Sequence, residues 1–285
     1  MTETAPPPQD GAAREALAGG ELLVDRHADG RRWLWLNRPA TRNTLTVAVV
    51  EAIGAAMAAF EREGARVAVI AGAGHRAFSA GYDIAAIDTA ETMPGTAVGP
   101  DGYYPLDRRL AATFDAMQAA PFPVIAAIRG WCIGGGFELA MACDLRVAAG
   151  DARFRMPPTR LGWIYSLSGL ARFAAAAGVA RARHMFLTGI ELPAARALDW
   201  GLVDEIAPTV ELQARVDAVV AGLLDAAPLS LAGLKHAFTV LARAASSDAD
   251  LQAHRAWRAR AIASADLAEG RRAFLERRKP AFKGR

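Results

Sequence analysis

Apolar residues in the first 150 positions of the chain fall into short runs separated by glycine, proline and charged residues. Five of these runs have the length and composition of β-strands. Two of them are almost wholly apolar, as strands covered on both faces of a sheet are. The predicted strands are 21–25, 33–37, 67–71, 123–128 and 144–148.

Helical spacing of apolar residues alternates with these strands. Residues 46–63 place Val49, Ile53, Met57 and Phe60 on one helical face. Helices are also predicted over 106–119 and from Gly135 to Ala142, and the chain beyond residue 170 is almost entirely helical in pattern. The prediction is an α/β fold: a flexible tail (1–20), a core (21–205) and a helical C-terminal region (206–285).

Composition narrows the class of protein. No run of 18 apolar residues lacks a charge or glycine, which disfavours a membrane-spanning helix. We see no secretion signal at the N-terminus, and we expect Cys132 and Cys143 to be reduced core residues of a cytoplasmic protein. Residues 271–285 carry seven Arg or Lys and one Glu, whereas the rest of the chain sums to −3. This asymmetry disfavours a nucleic-acid-binding face spread over the fold. Two interpretations of the basic tail stay open: it binds a compact polyanion, or it is merely a solvent-exposed terminus.

Two glycine-containing segments follow apolar runs and are the strongest chemical signal. They are Phe78-Ser79-Ala80-Gly81-Tyr82-Asp83-Ile84 and Gly134-Gly135-Gly136-Phe137-Glu138-Leu139. Glycine lets backbone N–H groups approach a ligand closely, and a helix that begins at Gly135 adds the positive end of its dipole. Two converging N–H groups form an oxyanion hole, although each segment alone also fits an ordinary strand-to-helix turn.

Other chemistry finds less support in the sequence. The segment Gly130–Gly136 lacks the Lys-Ser/Thr of a phosphate-binding P-loop, and no GxGxxG follows a strand. The five histidines show no short-range metal-ligand spacing, so we predict no metal site. Ser79 stands in a sequence like a nucleophile elbow, but Phe78 before it is already six residues past Gly72, too far for the sharp turn that an elbow needs.

Taken together, the segments resemble the crotonase (enoyl-CoA hydratase/isomerase) superfamily from about residue 21 to the C-terminus. The matching pieces are LNRPATRNTL (36–45), AFSAGYDI (77–84), IRGWCIGGGFELAMACDLRVA (128–148) and TGIELPAARALDWGLVDEI (188–206). The resemblance implies a spiral of ββα units, followed by helices that make trimer contacts, as a homotrimer or a dimer of trimers. It also implies a coenzyme A thioester substrate, no separate cofactor, and an oxyanion hole from the N–H groups of Tyr82 and Gly135.

The resemblance assigns further residues to the substrate. Within the family it is strongest to the methylmalonyl-CoA decarboxylases, over RFRMPPTRLGWIYSLSGL (153–170) and EGRRAFLERRKPAFKGR (269–285). By that similarity Tyr165 lies beside the substrate carboxylate and Arg277 near the CoA phosphates, which favours a binding role for the basic tail. The remaining substrate-binding residues that the resemblance implies are Arg42, Ala80, Gly81, Asp83 and Ile84.

Departures from the family pattern leave the reaction open. Hydratases of the family need two carboxylates; Glu138 fits the first, but the second position holds Pro158. A threonine of the decarboxylases falls on Pro157, with Thr159 two residues on. We therefore expect decarboxylation of a malonyl-type acyl-CoA, with hydration or isomerisation, or a non-catalytic binding protein, as alternatives. Glu138 is equally compatible with a catalytic role and with a structural one, either at the helix N-terminus or paired with a buried Arg.

Overall fold

The computed structural model describes residues 5–8, 11–83, 105–226, 228–242 and 263–278, with single residues at 252, 259 and 280. The strands are Ala13–Leu17 (β1), Leu22–Arg26 (β2), Arg31–Leu36 (β3), Val67–Gly72 (β4), Ala77–Ser79 (β5), Val124–Ile128 (β6), Trp131–Ile133 (β7), Leu145–Ala149 (β8), Arg153–Arg155 (β9), Glu191–Pro193 (β10) and Glu205–Ala207 (β11). The helices are Val47–Arg62 (α1), Pro105–Ala119 (α2), Gly135–Ala142 (α3), Leu167–Ala177 (α4), Val179–Thr188 (α5), Ala194–Asp199 (α6), Leu212–Asp225 (α7), Pro228–Ala242 (α8) and Ala265–Leu275 (α9).

The strands form two sheets. The larger has seven strands in the order β1-β2-β3-β4-β6-β8-β11, antiparallel from β1 to β3 and parallel from β3 onward. The smaller has the order β10-β9-β7-β5, with β5, β7 and β9 parallel and β10 antiparallel to β9. The predicted α/β class is confirmed.

A repeating unit generates both sheets. β4-β5-α2, β6-β7-α3 and β8-β9-α4 each place one strand in the large sheet, the next in the small sheet, and then a helix. Repetition brings the ends of β5 and β7 side by side, because both are short parallel strands in the small sheet. The expected spiral of ββα units is therefore present, and it sets the two glycine-containing segments next to each other.

Two layers of apolar side chains cover the large sheet. Alternate residues of β4 point to opposite faces: Ala68 and Ile70 join the larger core with Phe137, whereas Val69 joins a second cluster with Val216 of α7. Burial on both faces explains why this strand is a continuous apolar run.

Local signals in the sequence account for where α1 begins. The side chain of Thr46 accepts a hydrogen bond from the N–H of Val49 at 3.2 Å, which caps the first turn. Val49, Ile53, Met57 and Phe60 are all buried along one face, as their spacing predicts. The helix predicted over 46–63 is confirmed to within one residue at each end.

The structure has short strands in two segments where the sequence predicted none. The segment predicted as a flexible tail contains β1, which pairs with β2 and is fixed by two hydrogen bonds of 2.6 Å from Arg14 to Asp25. The C-terminal half, expected to be almost entirely helical, contains β10 and β11. Strands of three residues are too short to show a period-two pattern, and their pairing partners are far away in the sequence.

No single helix in the described part of the chain is both long enough and apolar enough to cross a membrane. Thr209–Asp225 and Pro228–Thr239 meet that measure of length and composition only as a pair, with a bend of 108° between them. Cys132 and Cys143 are both buried free thiols, as expected of core residues.

Candidate active site

The two glycine-containing segments pack backbone against backbone. Gly81 has a φ of +96°, and a Cβ there would lie 2.9 Å from the carbonyl oxygen of Ile133 and 3.2 Å from the nitrogen of Gly135. A Cβ on Gly136 would lie 2.5 Å from the Cβ of Ser79. Side chains at these positions would push the segments apart, so glycine is required for the close approach.

Hydrogen bonding fixes the direction of the Tyr82 amide. Leu45 donates from its N–H to the oxygen of Gly81 (2.8 Å) and accepts from the N–H of Asp83 (2.9 Å). Because N–H groups alternate in direction along extended backbone, the Tyr82 N–H points away from Leu45.

The amide of Gly135 is directed by the start of α3. Gly135 is the first residue of this helix, so its N–H has no acceptor within the helix. The neighbouring groups are engaged elsewhere: the N–H of Gly134 donates to the oxygen of Arg155 at 3.0 Å, and the N–H of Glu138 to the oxygen of Gly134 at 2.9 Å. The N–H of Gly135 is therefore not used within α3, and the ring of Tyr82 lies directly against this residue.

Glu138 lies one turn along α3 from Gly135. Its residue surface is only 5% exposed, and one carboxylate oxygen, Oε2, accepts a hydrogen bond from the hydroxyl of Tyr82 at 3.3 Å. The other, Oε1, is 4.0 Å from Nη1 of Arg172. The carboxylate is therefore held between a neutral donor and a cation.

A cleft opens beside Tyr82 and Glu138. It encloses about 350 Å³, counting the space at its open mouth. Its lining combines an apolar wall with several hydroxyl groups and one ion pair. The lining residues are Tyr82, Leu110, Ala111, Phe114, Glu138, Trp163, Tyr165, Ser166, Ser168 and Arg172.

Tyr165 reaches across this cleft to the glycine-rich turn. Its ring packs edge-on against Phe186, with centroids 5.5 Å apart, and its hydroxyl lies 3.7 Å from where a Cβ of Gly134 would be. The structure therefore brings together Tyr82, Gly135, Glu138 and Tyr165, all four of the residues predicted to be catalytic.

Only one carboxylate lines the cleft in the described part of the chain, that of Glu138. Pro158, at the position where a hydratase of the family has its second acid, is buried in the short 3₁₀ helix Pro158–Arg160. Its carbonyl oxygen accepts from the N–H groups of Leu161 and Trp163, both at 3.0 Å. Neither its side chain nor its backbone has a proton to exchange.

Four of the predicted substrate-binding residues lie close to Tyr82 in the sequence or in the structure. Ala80, Gly81 and Asp83 adjoin Tyr82, and Ala80 donates from its N–H to the carbonyl oxygen of Arg42, an exposed residue with a φ of +58°. Asp83 accepts from Arg38 at 2.8 Å, so its carboxylate is part of an ion pair.

Arg277 is exposed and does not line the cleft. Ile84 lies outside the described residues.

Sequence reasoning did not single out Arg172 or Asn43. Asn43 is buried; its Nδ2 donates to the oxygens of Ala73 and Ala77, and its Oδ1 accepts from the N–H of Arg38. It thereby fixes the segment that leads into Leu45. Arg172 stands within an ordinary helical pattern, and no local signal distinguishes it from a surface arginine.

A potential metal centre is not evident in the described ranges: no three His, Cys, Asp or Glu side chains there are grouped closely enough to hold an ion.

Comparison with known proteins places these features in a family. Residues 33–285 match the family model described as enoyl-CoA hydratase/isomerase. Carnitinyl-CoA dehydratase of Salmonella typhi is 35% identical over 227 residues, which cover 77% of this chain and 82% of that protein.

Solved structures agree with this family. Methylmalonyl-CoA decarboxylase complexed with 2S-carboxypropyl CoA superposes with a TM-score of 0.83 at 26% identity, covering 93% of this chain and 98% of that one. An enoyl-CoA hydratase from Mycobacterium avium subsp. paratuberculosis K-10 gives a TM-score of 0.75 at 33% identity, covering 92% and 98%.

Proposed function

The chain belongs to the enoyl-CoA hydratase/isomerase family, and from that membership we propose that it decarboxylates a malonyl-type acyl-CoA, such as methylmalonyl-CoA. It is a crotonase-type enzyme that acts on coenzyme A thioesters. The observation that carries the choice of reaction is that Glu138 is the one carboxylate among the described lining residues, in a cleft where Pro158 replaces the second acid of a hydratase.

Decarboxylation does not require a general acid or a general base to break the C–C bond. The bond between C2 and the carboxylate breaks, CO₂ leaves, and the electron pair moves into an enolate whose charge rests on the thioester oxygen. The N–H groups of Tyr82 and Gly135 stabilise that oxyanion. Removing one donor of this kind typically lowers the turnover number by about 10²–10³-fold. C2 then takes a proton from water.

The wall of the cleft suits the first step. Carbon dioxide leaves when its bond to C2 is perpendicular to the thioester plane, and an apolar environment disfavours the charged carboxylate relative to neutral CO₂. Leu110, Ala111 and Phe114 supply the apolar surface. Tyr165, whose hydroxyl lies beside the turn at Gly134, holds the carboxylate out of plane.

The CoA portion lies outside the cleft in this proposal. Arg42 is exposed and lies beside Ala80. In this position it contacts the adenine and phosphates of the coenzyme A moiety of the substrate. The exposed Arg277 adds positive charge for the phosphates. Coenzyme A enters as part of the substrate, and no separate cofactor takes part.

Hydration or dehydration is the second candidate, because Glu138 is placed to exchange a proton inside the cleft. Its carboxylate is buried and touches the hydroxyl of Tyr82. The similarity to a carnitinyl-CoA dehydratase also favours this candidate. Because the described lining holds no second carboxylate, we expect hydration to be slower than decarboxylation by about 10²-fold or more.

A substrate panel separates the two candidates. The protein is incubated with methylmalonyl-CoA, malonyl-CoA, crotonyl-CoA and carnitinyl-CoA, and product masses are followed over time. We expect CO₂ release from a malonyl thioester at least about 10²-fold more efficiently than hydration of crotonyl-CoA. Decarboxylation should also persist in Glu138→Gln.

The matched control is Glu63→Gln, which removes a carboxylate paired with Arg26 and Arg32 at the far end of α1. Fast hydration of crotonyl-CoA that is lost in Glu138→Gln but kept in the control, with no CO₂ from any malonyl thioester, would replace decarboxylation by hydration.

The enzyme is further proposed to be a homotrimer or a dimer of trimers. Apolar side chains are exposed on α8 and α9, including Leu229 at 88%, Phe238 at 67% and Phe274 at 54%. Exposed apolar surface of this kind is typical of a face covered by another subunit. Light scattering coupled to size-exclusion chromatography would measure the assembly, and a monomer would contradict the proposal.

A further inference from the structure

Arg172 of α4 is a buried cation in the wall of the cleft. Its side chain is only 9% exposed, and its guanidinium lies 5.0 Å from the centre of the Phe114 ring. Its ion-pair partners are Asp115 at 3.8 Å and Glu138 at 4.0 Å, both beyond hydrogen-bond distance. Nε is buried and has no hydrogen-bond partner among the described residues. Burying a charge with so few bonds is costly, which calls for a compensating role.

Glu138 also lies against the first turn of α4. Its Oε1 would be 2.6 Å from a Cβ on Gly169, the third residue of that helix. Ser166 caps the same turn by accepting from the Gly169 N–H at 3.1 Å. Glycine at 169 therefore admits the carboxylate to the positive end of the helix dipole, one turn from Arg172.

We propose that Arg172 is a positioning residue that holds Glu138 as a fixed anion facing the cleft. Arg172, the N-terminus of α4 and the hydroxyl of Tyr82 all favour the charged carboxylate. Burial opposes it, and so does Asp115, which is 65% exposed and largely screened by solvent. We expect the charged form to be favoured, since Arg172 and the N-terminus of α4 both place positive charge close to the carboxylate.

The consequence concerns the direction of proton transfer. An ionised Glu138 accepts protons and cannot supply one, so it acts as a base in dehydration and leaves protonation of the enolate to water in decarboxylation. The inference rests on the proposed cleft but not on which reaction occurs there. In this proposal Arg172 acts on the substrate through Glu138.

Infrared spectroscopy tests this without any turnover. A protonated carboxylic acid has a C=O stretch that a carboxylate lacks, and the wild-type minus Glu138→Gln difference isolates the signal of Glu138. At a pH of about 6, above the ordinary glutamate value of about 4.3, we expect no protonated Glu138 in the wild type. A protonated Glu138 there would overturn the proposal, whether or not any Arg172 variant folds.

Substitution of the cation completes the test. In Arg172→Met we expect Glu138 to protonate about 1–3 pH units higher than in the wild type, and the new band to vanish in the double variant with Glu138→Gln. Arg172→Lys should restore most of the wild-type behaviour. Arg181→Met is the control, because Arg181 is also stacked on an aromatic ring, Trp200, and lies 3.9 Å from a carboxylate.

Two results would reject the proposed role of Arg172. One is a folded Arg172→Met protein in which Glu138 protonates at the wild-type pH; the other is the same shift in the Arg181→Met control. Inactivity toward every thioester, with the infrared shift present, would instead reject the proposed reaction and leave the positioning role standing.

Discussion

Gly135 and the ring of Tyr82 are in direct contact: a Cβ at position 135 would lie 2.5 Å from both Cε2 and Cζ of that ring. The side chain of Tyr82, the proposed second oxyanion donor, thus covers Gly135, the first residue of α3. Any side chain at 135 must displace Tyr82, and with it the hydrogen bond from Tyr82 to Glu138.

We therefore predict that Gly135→Ala lowers turnover by about 10²-fold or more, because displacing one oxyanion donor has that typical effect. Gly135→Pro, which deletes the N–H itself, should abolish turnover. Steady-state kinetics measure both, with folding checked by circular dichroism. Gly222→Ala is the matched control: a Cβ there meets nothing within 4 Å, so turnover should not change. Near-normal turnover in a folded Gly135→Pro protein would exclude the two-donor site.

Tyr165→Phe should slow decarboxylation with little effect on stability, since the ring keeps its edge-on contact with Phe186. The reason is loss of the hydroxyl that lies beside Gly134 and that we propose holds the substrate carboxylate out of plane. Stopped-flow measurement of CO₂ release compares the variant with Tyr82→Phe, which removes the hydrogen bond to Glu138. A smaller effect at 165 than at 82 would argue against this role of Tyr165.

Arg277→Glu should weaken binding of a CoA thioester and leave the fold intact, because the side chain is exposed and charge near phosphates governs their affinity. Isothermal titration calorimetry at low salt measures the change. The control is Arg62→Glu. Arg62 is the last residue of α1 and lies about 22 Å along the helix from Val47, which is at the end of α1 nearer the site. Equal affinities for the wild type and Arg277→Glu would remove the tail from the site.

Alkaline pH should destabilise the protein through its two buried thiols. Burial raises the pKa of Cys143 to about 12 and raises the pKa of Cys132 well above its ordinary range. Unfolded thiols lose protons from about pH 8.5, whereas the folded ones stay protonated, so the unfolding free energy falls as pH rises above that value. The expected slope is about 1.4 kcal/mol per pH unit for each thiol.

Urea unfolding between pH about 7 and 10 measures this slope, and the doubly substituted Cys132→Ala, Cys143→Ala protein should lack it. Identical pH dependence in the two proteins would show that other groups are responsible.

Local patterns predicted the elements that carry the site. The apolar run 67–71 is the strand Val67–Gly72, the run 123–128 is Val124–Ile128, and the helix at the glycine-rich turn begins at Gly135 as expected. These predictions succeeded because burial on both faces and the start of a helix leave their marks within a few consecutive residues.

The smaller sheet and the surroundings of the carboxylate could not be predicted in the same way. β5, β7 and β9 have three residues each and pair with strands about twenty or more residues away in the sequence. The engagement of Asp83 with Arg38, 45 residues apart, likewise has no local signal.

By itself the sequence determined the α/β class, the family resemblance, the two glycine-containing segments and the absence of an acid at Pro158, because each of these depends on residue type at a known position. Tertiary structure alone decided that Glu138 lies between Tyr82, Arg172 and the first turn of α4. The charge state of a buried carboxylate depends on donors and cations within a few ångströms. Here they come from three segments up to 90 residues apart, Tyr82 to Arg172, so only folding brings them together.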